Sequence, residues 1–246
     1  MTWEGGNSLN KRLYLLPGLL CDAAIWRPQI AALSPRYDVR VPDLTGLGSI
    51  PAMAAHVLQD APERFAVAGH SMGARVALEM WRQAPERVTH IALLDTGAHA
   101  ADPDEPERRR RMTDLSRTRG MRALADAWLP PMVAPAHFHG PLKDALYAMV
   151  ERMTPDIHHR QIAALLDRPD ARPLLSGIRI PAMVGVGGED RWSPPAQNRA
   201  IADAIPGARF VLFEGSGHMT PVEAPEAVSA TIAQWLALPP AETTML

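Results

Sequence analysis

Apolar positions along the chain fall into two kinds of pattern, and the changes between them mark its elements. Short apolar runs of strand type occur at Leu13–Leu16, Tyr37–Val41, Phe65–Ala68, Val88–Leu94, Ile180–Val186 and Arg209–Phe213. Helical patterns lie between them: Pro28–Leu33, Met53–Asp60, Ala74–Trp81, Gln197–Ile205, and a closing amphipathic helix over Val222–Leu236. Strands alternating with helices predict an α/β fold, a parallel sheet with helices on both faces. From Ala98 to Ser176 the strand-type runs stop. Helical patterns around Met121–Trp128, Leu142–Met153 and Ile157–Leu166 are set apart by Pro130-Pro131, Pro135, Pro155 and Pro169. This stretch, 98–176, reads as a helical cap inserted between two strands, with 1–97 and 177–246 forming the core. Residues 1–10 are polar and read as loose, and the tail from Pro239 as frayed.

In parallel sheets of this kind, sites lie beyond the carboxyl ends of the strands, and the loops there carry the chemistry. After Phe65–Ala68 comes Gly69-His70-Ser71-Met72-Gly73, followed at once by good helix formers. Gly-x-Ser-x-Gly between a strand and a helix is a nucleophile elbow. The turn forces Ser71 into a strained backbone conformation, and side chains at 69 and 73 would collide with neighbouring backbone. Ser71 then stands at a helix N-terminus, where the dipole favours developing negative charge.

A serine hydroxyl is a weak nucleophile that needs an adjacent base, itself oriented by a third group. Asp190 follows Ile180–Val186 and His218 follows Arg209–Phe213. The chain order Ser, Asp, His is the one expected for an elbow in this architecture. We therefore assign Ser71 as nucleophile, His218 as base and Asp190 as its partner, with Glu189 and Asp95 as competing acids. Gly18, directly after the first strand, suggests the backbone N–H of Leu19 as one oxyanion donor, with that of Met72 as the other. Trp26 and Trp192 follow two of these loops. With Trp128 of the cap and Met219 they are candidates to border a substrate pocket. His70 reads as a packed residue, and Cys21 as a small buried one. His137 with His139, and His158 with His159, lack the carboxylate or cysteine pattern of a metal site, so no metal is expected. No dinucleotide fingerprint follows the first strand, so no nucleotide cofactor is expected.

Composition narrows the partners. The chain has 246 residues, 47% of them apolar, enough for one sizeable domain with an insertion. A net charge of −2 gives no reason to expect nucleic acid or an anionic membrane. Glu107-Arg108-Arg109-Arg110-Arg111 reads as a solvated helix face. Arg75, on the elbow helix, reads as solvated or ion-paired. The single cysteine allows no intrachain disulfide, and no apolar leader or membrane-length run is present. Together these suggest a cytoplasmic location.

The spaced set LLPGLLCDAAIW (15–26), VPDLTGLGS (41–49), GHSMG (69–73), GVGGED (185–190) and GSGHMTPVEAPEAV (215–228) resembles the α/β-hydrolase superfamily over nearly the whole chain. The resemblance implies a mostly parallel eight-stranded sheet, a helical lid, no cofactor, and acyl transfer through an acyl-enzyme. It departs from the family in Pro17-Gly18, where His-Gly is frequent, and in Ala74, where a second glycine is frequent. A serine at 71 argues against the carboxylate-nucleophile branches of the superfamily. The leading reading is hydrolysis of a small or medium carboxylic ester. Two others stay open. Ser71-Met72-Gly73-Ala74-Arg75 is similar to the elbow of the menaquinone-pathway synthase, and C–C bond hydrolases are also similar. A non-catalytic ligand-binding protein on the same scaffold is the third. Oligomeric state is not legible.

Overall fold

The computed structural model describes residues 11–240; the segments 1–10 and 241–246, read above as loose and frayed, lie outside the described residues. Six strands form one sheet: β1 (Arg12–Leu16), β2 (Asp38–Arg40), β3 (Phe65–His70), β4 (Val88–Leu94), β5 (Ala182–Gly187) and β6 (Arg209–Phe213). Their order is β2-β1-β3-β4-β5-β6, and every pairing is parallel. The eight mostly parallel strands implied by the family resemblance are thus six, all parallel, among the described residues. β2 is an edge of this sheet, with no strand paired beyond it among the described residues.

The inner strands β3 and β5 are buried along their whole length, whereas the edge strands β2 and β6 are half exposed. A parallel strand covered on both faces reads as a continuous apolar run, as these two do. Register sets the carboxyl ends level: Leu16 pairs with Gly69, His70 with Leu94, and Gly187 with Phe213. The loops that follow therefore leave the sheet at one edge.

Ten α-helices are described. α1 (Arg27–Leu33), α2 (Ile50–Gln59) and α3 (Met72–Gln83) belong to the first half, with α2 packed on α3. Between β4 and β5 lie α4 (Glu105–Trp128), α5 (Gly140–Glu151), α6 (Pro155–Leu166) and α7 (Arg172–Leu175). α8 (Pro195–Ala204), α9 (Thr220–Glu223) and α10 (Pro225–Leu236) complete the chain, and α10 packs on α1. The sequence pattern read α4 as two separate pieces, a helix face at Glu107–Arg111 and a helix around Met121–Trp128. The helix begins at Glu105 and is broken at Gly120, whose φ of 81° and ψ of 176° are non-helical. The single closing helix expected over Val222–Leu236 is two, because Ala224 precedes Pro225 and is driven out of the helical region, to φ −127° and ψ 55°.

Candidate active site

Ser71 stands between β3 and α3 with φ 54° and ψ −114°. A non-glycine residue in that region costs about 1–3 kcal/mol and persists only where its surroundings hold it. Here its N–H donates to the Leu94 carbonyl at 2.8 Å, and its own carbonyl accepts from Thr96 Oγ1 at 3.0 Å. The glycines are a steric requirement. A Cβ at Gly69 would strike the backbone of Gly73 and Ala74, and one at Gly73 would strike the carbonyl of Leu16. The elbow is thus pressed against the end of β1. A Cβ at Gly18 would lie 3.2 Å from Ser71 Cβ, which brings the Gly18–Leu19 turn against the serine.

His218 Nε2 is 2.9 Å from Ser71 Oγ, and His218 Nδ1 is 2.8 Å from Asp190 Oδ2. Asp190 Oδ1 accepts from the amides of Trp192 and Ser193, each at 2.8 Å. Burial pushes the Asp190 carboxyl up, but the His218 imidazole and those two amides outweigh it and hold it below the usual carboxylate range. The structure therefore brings Ser71, His218 and Asp190 into one hydrogen-bonded line. Of the competing acids, Asp95 is fully buried and turned elsewhere. It accepts from the Gly187 amide at 3.0 Å and from the Thr220 hydroxyl. Burial, with Asp190 nearby, raises its carboxyl well above the usual range. His70 is buried as expected, its Nε2 2.7 Å from the His218 carbonyl. Burial presses its pKa down to about 3, so it is neutral and holds the backbone of the histidine loop.

Next to the serine, Leu19, Ser71, Met72, Arg75, Arg109 and His218 are among the lining of a recess of about 40 Å³. It adjoins a cavity of about 420 Å³ bounded by the core loops on one side and by α4 and α6 on the other. That volume suits a small molecule. Trp128 and Trp192 line both spaces. Trp26 and Met219 line neither. Trp26 is fully buried, edge-on to the His70 ring at 6.5 Å, and Met219 is 1% exposed. Both side chains are packed in the hydrophobic core, Trp26 at the end of a short 3-10 turn over Ala23–Trp26.

Residues 13–231 match the model of the alpha/beta hydrolase family. The chain belongs to that family. An esterase from Thermogutta terrifontis, solved with malate bound, is 28% identical, with a TM-score of 0.85 over 93% of this chain and 90% of that one. The enol-lactonase of Burkholderia xenovorans LB400 is 28% identical, with a TM-score of 0.82 over 95% of this chain and 94% of that one. A pimeloyl-(acyl-carrier protein) methyl ester esterase of Nitrosomonas europaea is 27% identical over 87% of this chain and 91% of its own length. These relationships support a hydrolase. Among the described residues of this hydrolase, no helix is long and apolar enough to cross a membrane.

Several residues of the hydrolase's site escaped the sequence reading. Arg75 is half-buried and forms no ion pair among the described residues: it lies in the wall of both spaces, with Nη1 2.8 Å from the His99 carbonyl. Within the arginine run, Arg108 and Arg110 are exposed as expected, but Arg109 turns inward and bonds Glu105 at 2.6 Å. Glu223, in α9, accepts from the amides of Ala134, Gly217 and Met219. It thus ties the histidine loop to the turn after α4, and the His218 amide donates to the Met132 carbonyl at 2.7 Å. Gly217 was the available signal, since a Cβ there would meet the backbone of Met132 and Ala134 at 2.7–2.9 Å. Cys21 is buried, and burial pushes its thiol pKa far up, leaving it unreactive.

Proposed function

We propose that this hydrolase cleaves carboxylic esters through a covalent acyl-enzyme. The observation that carries the reading is the unbroken line from Ser71 Oγ through His218 to Asp190, with contacts of 2.9 and 2.8 Å. In this scheme Ser71 Oγ attacks the ester carbonyl while His218 Nε2 takes its proton. Asp190, ionised and held by two amides, fixes the imidazole tautomer and stabilises the imidazolium. The amides of Leu19 and Met72 receive the oxyanion; each such donor contributes about 3 kcal/mol to lowering the barrier. Collapse expels the alcohol, which takes the proton from His218. A water molecule, deprotonated by His218, then releases the acid and restores Ser71.

The helical segment 98–176 serves as the cap that walls the acyl or alcohol side, with Trp128 and Trp192 bordering the pocket. Nothing in the scheme calls for a metal or cofactor. The relatives named above as esterases and a lactonase favour C–O bond cleavage. A panel of esters, lactones and thioesters assayed with the wild-type protein and Ser71→Ala tests the reading, together with a fluorophosphonate label. Ser71-dependent ester turnover and an adduct at Ser71 are the expected results. Turnover unaffected by Ser71→Ala, or no adduct in folded protein, overturns it.

A further inference from the structure

The wall of the cavity facing Ser71 carries more positive than negative charge. Arg75, Arg109 and Arg168 converge there with one buried carboxylate, Glu105, between them. Arg168 is fully engaged: it bonds both Glu105 oxygens and the carbonyls of His99, Ala100 and Leu165. Arg109 donates from Nε to Glu105 and lies 5.7 Å over the Trp192 ring. Arg75 differs from both. Among the described residues it forms no ion pair, and its one side-chain hydrogen bond goes to the His99 carbonyl. A guanidinium has five N–H donors, so most of those of Arg75 are uncommitted inside the cavity wall. Desolvation and the neighbouring Arg168 press its pKa down to about 9, still above neutral pH, so it keeps its charge. Gly97 makes room for it: a Cβ there would lie 2.9 Å from Arg75 Nη2. At the mouth the excess continues, with Arg191 on the lining and Arg108 neutralised by Asp102.

A largely desolvated guanidinium that feels Glu105 but touches no carboxylate favours an anion that joins it directly. Resting on the serine-hydrolase reading above, we infer that the substrate is an ester bearing a free carboxylate, which binds Arg75 and Arg109 while the ester carbonyl sits at Ser71. The spacing sets its size. Ser71 and Arg75 are four residues apart at the start of α3, a rise of about 6 Å, and both line a recess of about 40 Å³. The carboxylate therefore lies only a few bonds from the carbonyl that is cleaved, as in a monoester of a short dicarboxylic acid. The planar guanidinium fork suits a carboxylate held by two parallel bonds.

The test uses the full-length protein. Fluorophosphonate labelling of Ser71 is timed with succinate, glutarate or adipate present, and again with the matching diamides or inorganic phosphate. At least one diacid slows labelling while its diamide does not. In parallel, the monoethyl and diethyl esters of the same acids are compared. The monoester is preferred in kcat/KM by about 10- to 100-fold, the weight of a hydrogen-bonded charge. Arg75→Met narrows that ratio and Arg75→Lys restores part of it, with labelling of Ser71 as the check that each variant is folded. Ser71 that labels at the same rate with every diacid overturns the inference and leaves the hydrolase intact. So does slowing by phosphate alone, which would point to a phosphorylated substrate. Ser71 that fails to label in folded protein overturns the hydrolase reading itself.

Discussion

The cavity has two walls built on opposite principles. The sheet wall, with the elbow, Asp190 and the His218 loop, is fixed by backbone: level strand ends, a strained serine and glycines that admit close approach. The helical wall, from α4 and α6, is fixed by side chains, above all the Glu105–Arg168–Arg109 cluster. The first wall carries the proposed reacting groups and one candidate for choosing a substrate, Arg75 of α3. The second has charge and shape to choose with, and no group that reacts.

The sharpest way to separate them is to remove chemistry from the sheet wall alone. Ser71→Ala should cut ester turnover by about 10⁴- to 10⁶-fold with the thermal midpoint nearly unchanged, and adding His218→Ala should cost little more, because the three residues act as a unit. Single-turnover assays and a melting curve check this together. Next in size, Glu105→Gln should destabilise by about 3–5 kcal/mol in chemical denaturation, since it leaves buried guanidiniums without their counter-charge. Asp102→Asn, at the exposed rim of the same wall, should leave the denaturation curve where it was. Gly73→Ala should destabilise the sheet wall by about 3 kcal/mol, through the collision with the Leu16 carbonyl.

The smallest effect is a slope. His158, buried behind α4 with Nδ1 2.9 Å from Ser116 Oγ, has its pKa lowered by burial from 6.5 to about 4. Between those values the unfolded chain binds a proton that the folded chain refuses. This contribution to stability is complete above pH 6.5 and is lost as pH falls toward 4. His70 acts the same way over a wider range, and Asp95, with its raised pKa, acts in the opposite sense. The difference between wild type and His158→Gln isolates one residue: the variant's acid slope should be shallower by up to about 1.4 kcal/mol per pH unit. Equal slopes would mean that His158 takes up its proton in the folded state as readily as in the unfolded one.

The two walls also differed in how well the sequence revealed them. β4 and β6 were read to the residue, and Ser71, Asp190 and His218 fell into contact as their spacing suggested. Backbone constraints leave local marks: a glycine wherever two chains touch, a polar residue at a strand end. The helical wall leaves none. Arg109 and Arg110 are neighbours in sequence, yet one is buried against Glu105 and the other is exposed. Which arginine turns inward depends on the rotational phase of α4 and on what packs beside it. Neither is written in the arginine run. Arg75, on α3, enters the cavity wall through side-chain packing that its sequence neighbours do not show, and Trp26 and Met219 lie in the core and not on the pocket lining.

The tie between the two walls constrains how such an enzyme can diversify. Glu223 and the amide of His218 both grip the turn at residues 132–134. A descendant that lengthens, shortens or borrows the helices on either side keeps His218 in place beside Ser71 only if that small clasp is carried along. Recombination breakpoints that succeed should therefore spare it, and libraries that shuffle the insertion should be cut around it.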